Sequence, residues 1–308
     1  MVKIKLDYLS EQLYFSILKV TLMNSKGILI PIGGNEKKGL KTGEKYSTEN
    51  IDTSILSRVV VESGGLEAKI VIVPTASSIP EVVSENYIQA FSNLGCENIE
   101  VADIRKREDC ENPEYINLIK EADCVMFSGG NQSEIINKIK DTTIHRMLMD
   151  RYQNSCLVIA GTSAGAMAMS EEMITGGKQK EIFVKGAVGM SKGMCFLPNV
   201  VIDSHFIRRG RFGRLAEAVA RFPHLIGIGL AEDTGLVIRN CNNVEIVGSA
   251  MVIIFDPGEV DHNTESLARQ GERMSLSNLK THILSEGDTF NINKHEVKIL
   301  QVAIHERN

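Results

Sequence analysis

The stretch "LVIAGTSAGAMAMS" (157–170) runs from four apolar residues through Gly161-Thr162-Ser163-Ala164-Gly165 into small helix formers. A strand that meets such a corner and continues as a helix is a building unit of an α/β sheet, and the sharp turn pushes Ser163 clear of the sheet edge. Tight backbone packing at the corner demands residues without bulk on either side, hence Gly161 and Gly165. The helix that follows presents its first N–H groups to the same spot, so Ala164 is a candidate oxyanion donor. A small-residue turn with no chemistry explains the same pattern, and the motif alone is too short to decide.

Working outward, four more apolar runs end at Gly, Pro, Ser or Thr or in a polar turn: "GILIPIG" (27–33), "AKIVIVPT" (68–75), "NIEVADI" (98–104) and "CVMFSGG" (124–130). Continuous rather than alternating apolar runs are the mark of parallel strands buried on both faces. Between the last of them and the corner, residues 133–154 place Ile135, Ile136, Ile139, Ile144, Met147, Leu148 and Tyr152 at helical spacing. The alternation predicts a doubly wound, mainly parallel sheet flanked by helices. After residue 224 little helix separates the apolar runs, so 224–240 and 243–257 are expected as antiparallel strands toward the C-terminal side, and 287–300 as a hairpin turning at Asn293 and Lys294. The polar, Gly/Lys-rich 34–50 reads as a mobile surface loop, and 175–194 as a loop able to cover the site.

The chain has 308 residues, 43% of them hydrophobic, enough for one large core. It reads as one domain over 1–308, with an N-terminal extension at 1–26 and a hairpin and tail at 258–308. The net charge of −5, with acids and bases intermixed, gives no reason to expect nucleic acid or an anionic membrane as partner. Six cysteines lie scattered without CxxC pairs or Cys/His clusters, which argues against a disulfide framework and against a metal. Asp7, Glu11 and Lys19 interrupt the first apolar run, and nothing approaches the roughly eighteen apolar residues of a spanning helix. The expectation is a cytoplasmic protein without cofactor. Met167, Met169, Met173, Met190 and Met194 gather around the corner and read as flexible core fillers.

A serine hydroxyl needs a base. In "NVVIDSHFIRRGRFGRL" (199–215), an apolar strand ends at Asp203 and His205 follows it, joining a strand end to a charged cluster. A lone histidine is ordinarily structural; this one stands at the sheet edge assigned to Ser163. The imidazole in turn needs a carboxylate. "GIGLAEDTG" (227–235) offers Glu232 and Asp233 between two apolar strands, and spacing does not choose between them. Arg208, Arg209, Arg211, Arg214 and Arg221 concentrate positive charge in an otherwise acidic chain. A basic helix face is usually only solvated, but beside His205 the guanidinium forks suit carboxylates.

At these residues the chain resembles the cyanophycinases, which belong to the peptidase E-like serine peptidases on a class I glutamine amidotransferase-like sheet. "FSGGNQ" (127–132), "GTSAGAMAMS" (161–170), "GMCFLPNVVIDSHFIRRGRFGRL" (193–215) and "IGLAEDTGLVI" (228–238) carry the likeness over about residues 27 to 257. The resemblance implies Ser163 as nucleophile, His205 as base, Glu232 as its partner, and an oxyanion hole from Gly130 and Ala164. It places Gln132, Asp203, Arg209, Arg211 and Arg214 around the substrate and implies a homodimer. The implied substrate is cyanophycin, a poly-aspartate backbone with arginine on each β-carboxyl, for which Asp203 and Gln132 are expected to receive the pendant guanidinium. Three positions depart from the family pattern: Ser204 for Gln, Asn131 for Asp, and Ala231 for an acid. The competing readings are an α-aspartyl dipeptidase like peptidase E, acting on short Asp-X peptides, and a non-catalytic binding module on the same sheet.

Overall fold

The short β-branched runs pair side by side. The computed structural model describes residues 25–36, 38, 54–177 and 183–300. In it Ile28–Ile32 (β1), Ile70–Val73 (β2), Ile99–Val101 (β3), Cys124–Phe127 (β4) and Val158–Thr162 (β5) run parallel in the order β1-β5-β4-β2-β3. β2, β4 and β5 are buried at every position, as expected for strands covered on both faces.

The two faces are covered by different helices. Ile30, Ile32, Ile70, Ile72 and Ala160 pack with Ile55–Glu62 (α1) and Pro80–Asn93 (α2). Leu29, Val71, Val73 and Ile159 point the other way, into a cluster shared by Pro113–Glu121 (α3), Gln132–Ile139 (α4) and Thr143–Asn154 (α5). Alternation along each strand therefore feeds two cores, and the sheet is doubly wound. The helix expected over 133–154 is two helices. Asp141 adopts a left-handed φ of 61°, and the Thr142 hydroxyl oxygen accepts from the His145 N–H at 3.3 Å to start α5. Thr142 is an N-cap, and the periodic isoleucines hid it.

Past the corner come Ala164–Ala168 (α6), the antiparallel hairpin Glu172–Gly177 (β6) and Val188–Lys192 (β7), Val200–Asp203 (β8) and Phe212–Arg221 (α7). Ile226–Leu230 (β9), Thr234–Arg239 (β10), Asn243–Gly248 (β11) and Val252–Asp256 (β12) follow. Residues 178–182, the middle of the expected covering loop, and most of 37–53 lie outside the described residues.

The later strands pair antiparallel as expected except for β9, which runs parallel to β8, and they divide between two sheets. β10 pairs with β1 and β11 with β10, extending the main sheet, whereas β9 lies between β8 and β12 in a second one. Chain reversals at Ala231–Asp233 and Ser249–Met251 carry the strands across. The two-residue strands His262–Asn263 (β13) and Leu276–Ser277 (β14) pair with each other, and Lys280–Leu284 (β15) closes the second sheet on β12. Thr289–Asn291 (β16) and Glu296–Lys298 (β17) form the expected hairpin around Asn293 and Lys294, giving a nine-stranded main sheet. Residues 280–298 thus belong to the two sheets. No described helix is long and apolar enough to cross a membrane.

Candidate active site

Ser163 sits between β5 and α6 with φ 49° and ψ −104°, a conformation that costs a non-glycine residue roughly 1–3 kcal/mol. The two flanking glycines permit it. A Cβ on Gly161 would lie 2.7 Å from the Gly165 carbonyl carbon, and one on Gly165 would lie 2.5 Å from the Phe127 carbonyl oxygen. The corner closes because these backbones touch. The Ser163 side chain does not cap α6, although its carbonyl accepts the first helical bond, from Met167 N–H, at 3.0 Å. Its half-buried hydroxyl is 3.4 Å from the Ser204 hydroxyl.

His205 stands two residues past β8, also at positive φ, 47°. Its Nδ1 meets Glu232 Oε1 at 2.7 Å, which gives Nδ1 the proton and leaves Nε2 as an acceptor. The two acids of the β9–β10 corner thus separate. Glu232 takes the imidazole, while Asp233 accepts from the Ser249 hydroxyl at 2.6 Å. Arg208 and Asn35 complete the Glu232 carboxylate, donating to Oε2 at 2.9 Å and 3.3 Å. Burial pushes the Glu232 pKa up, but hydrogen bonds from His205 and Arg208 and the charge of Arg208 outweigh it, so the acid stays ionised. Burial is also the main influence on His205 and takes its pKa below the usual 6.5; the Glu232 hydrogen bond opposes this, and the charges of Arg209 and Arg211 reinforce it. The imidazole is therefore neutral near neutral pH and able to accept a proton.

One short segment touches every member of the set. Ile32 carbonyl accepts from Ser163 N–H and Gly33 carbonyl from His205 N–H, both at 2.8 Å. Gly34 carbonyl accepts from Asp233 N–H at 2.9 Å, and its α-carbon packs against the His205 ring. Glu36 then buries its carboxylate against Tyr87 and accepts from the Thr162 hydroxyl at 2.6 Å, one residue before the serine. The start of the polar 34–50 stretch is pinned to the site rather than loose. Asn35, Glu36 and the Arg208–Glu232 pairing were not singled out from sequence. The one signal for them was the pair of glycines ending β1.

Asp203 is fully buried, and its oxygens are taken by the chain's own arginines. Arg214 reaches it with Nε at 2.6 Å and with a second guanidinium nitrogen; Arg211 donates at 3.1 Å, and Ser204 N–H at 2.9 Å. Asp203 therefore anchors Arg211 and Arg214. Arg211 also donates to the Ser204 carbonyl at 2.6 Å, and burial, against the pull of Asp203, brings its pKa down to about 10. Arg209 is exposed on the same loop. Gln132 opens α4 and donates to the Ile174 carbonyl of β6 at 2.6 Å. Gly130 holds φ 141° where a Cβ would strike the Ala76 carbonyl, and Gly129 faces Ser163, its would-be Cβ 3.5 Å from that of the serine. The hairpin arms adjoin the arginines: Glu217 of α7 accepts from Val188 N–H at 3.0 Å, and a Cβ on Gly177 would lie 3.8 Å from Arg214 Cδ. Met167, Met169, Met173 and Met194 are buried, as expected of core fillers.

The profile of peptidase family S51 matches residues 40–246, a span that holds Ser163, His205 and Glu232. The cyanophycinase of Trichormus variabilis is 36% identical over 243 residues, 79% of this chain and 82% of that protein. The cyanophycinase of Synechococcus elongatus is 30% identical over 284 residues, 92% of this chain and 85% of that one. Among solved structures, a peptidase from an acI-B1 actinobacterium shares the fold with a TM-score of 0.61 at 23% identity, over 87% of this chain and 98% of that one. With the family profile over most of the chain and relatives alike across most of their own length, the chain belongs to peptidase family S51.

Proposed function

We propose that this chain is a serine exopeptidase that hydrolyses cyanophycin to β-Asp-Arg dipeptides. Ser163 Oγ attacks an aspartyl main-chain carbonyl carbon while His205 Nε2 takes the hydroxyl proton. The Ala164 and Gly130 N–H groups receive the oxyanion, and Glu232 holds the imidazolium. His205 then returns the proton to the leaving amine nitrogen as the C–N bond breaks. Water, deprotonated by the same imidazole, cleaves the acyl ester and frees Ser163.

The observation that carries this reading is the 2.7 Å His205–Glu232 pair held on the segment that also binds the serine corner. Arg211 and Arg214, fixed by Asp203, keep further N–H groups for the free carboxylates of the substrate, with Arg209 beside them. Gln132 is the polar group left to meet the pendant guanidinium. The same reading takes the protein as a cytoplasmic homodimer, a compartment that suits its free cysteines.

The test is incubation with insoluble cyanophycin and with Asp-X dipeptides in parallel, with products read by mass spectrometry. Release of β-Asp-Arg from the polymer, lost in Ser163→Ala, supports the proposal. Turnover of Asp-X alone makes the enzyme an α-aspartyl dipeptidase. Wild-type turnover by Ser163→Ala overturns the mechanism.

A further inference from the structure

The hydroxyl of Ser204 is in an unusual place. The residue is 1% exposed and its main chain is fixed on both sides, by Asp203 at the N–H and by Arg211 at the carbonyl. Its hydroxyl has two neighbours, Met167 Sδ at 3.3 Å and the Ser163 hydroxyl at 3.4 Å. A serine hydroxyl has one proton. With that proton on the Met167 sulfur, Ser163 is the donor of the pair, and its own proton points toward Ser204 instead of His205. With the proton reversed, Ser204 occupies one of the two Ser163 lone pairs and leaves the Ser163 proton free. The first arrangement, in which Ser204 donates to Met167, is the one that withholds the nucleophile from its base.

We propose that Ser204 is a further catalytic residue that restrains the Ser163 hydroxyl in the resting enzyme and lets it go when substrate is bound. The inference rests on Ser163 being the nucleophile. Arg211 supplies the link to substrate, because the guanidinium that fixes the Ser204 carbonyl is one of the two placed to receive a substrate carboxylate. A carboxylate drawn to Arg211 competes for the contact that holds Ser204 in place. No bond is made or broken in this step; one hydroxyl rotates from Ser204 to His205.

A group that merely supports the site slows the reaction when removed, whereas a restraint speeds attack on a reagent too small to trigger release. The experiment measures the second-order rate of Ser163 modification by a small alkyl fluorophosphonate, with the modified residue located by peptide mass. Ser204→Ala removes the hydroxyl, and Ser204→Cys keeps the volume while weakening the hydrogen bond. Both are expected to react about two- to tenfold faster than wild type, the range of one neutral hydrogen bond. Rates equal to or below wild type in both variants, with Ser163 still the labelled residue, overturn the restraint and leave the peptidase reading standing. Failure of the wild type to label at Ser163 overturns both.

Discussion

The His205 ring lies against the α-carbon of Gly34: a Cβ built there would sit 2.5 Å from Cε1 and 2.6 Å from Nε2. Gly34 also has a φ of 104°, a conformation that disfavours any side chain. Gly34→Ala must push the imidazole off its seat. A displacement of about an ångström at a catalytic group costs roughly 10²-fold in rate. The expected result is a fall of that order in kcat/KM on cyanophycin with the fold retained by circular dichroism; an unchanged kcat/KM removes Gly34 from the positioning of His205.

The acid side of the pH profile follows from the forces on His205. Its reactive form is neutral, and its pKa lies below 6.5. The free-enzyme kcat/KM should therefore hold as pH falls to 6.5 and decline below it. Arg209 disfavours the imidazolium, so Arg209→Ala should move that limb to higher pH. Glu232 favours it, so Glu232→Gln should move the limb to lower pH while reducing kcat by roughly 10²–10⁴-fold. Rate profiles of the three proteins check the signs, and limbs that move together in both variants contradict the assignment.

Asp203 is the sole acid that Arg211 and Arg214 reach among the described residues. Removing one partner of a buried ion pair leaves charge without compensation, at a cost of about 3–5 kcal/mol. Asp203→Ala should show that loss in urea unfolding, and Asp203→Asn, which keeps two polar atoms in place, a smaller one. Equal stability of Asp203→Ala and wild type means the arginines find other partners.

Local chemistry made part of this molecule readable. The runs of Val and Ile that became β2, β4 and β5 are buried on both faces, so they carry their signature without help from neighbours. The Gly161–Ser163–Gly165 corner is equally local, since its need for small residues arises within five positions. What escaped depends on residues far apart in the chain. β9 and β10 look alike as apolar runs, and the chain passes from one sheet to the other where Ala231 packs on Gly33, on which a Cβ would lie 1.9 Å from the Ala231 carbonyl oxygen. Asp203 looked available because its partners, eight and eleven residues on, turn back over it. Glu36 sits in a run of Gly and Lys that reads as surface, and it is buried only because Thr162 and Tyr87 come to it.

Glu36 yields the last prediction. The residue is 5% exposed, and its carboxylate accepts from the Thr162 hydroxyl, the Tyr87 hydroxyl and Lys38, whose ammonium lies 2.6 Å away and over the Tyr87 ring. Burial alone raises its pKa; the Lys38 charge and the three hydrogen bonds more than reverse that, and the pKa ends below 4.5. A group depressed on folding stabilises the fold fully above its unfolded pKa, and the contribution disappears as pH drops through the folded value. Glu36→Gln keeps the shape but offers one accepting oxygen to three donors, so unfolding at pH 7 should show a loss of about 1–3 kcal/mol. The gap to wild type should narrow below pH 4.5, where the native carboxylate begins to protonate. Because Thr162 precedes Ser163, the variant should also lower kcat, and a gap that is constant from pH 7 to pH 3 shows that the charge on Glu36 contributes nothing.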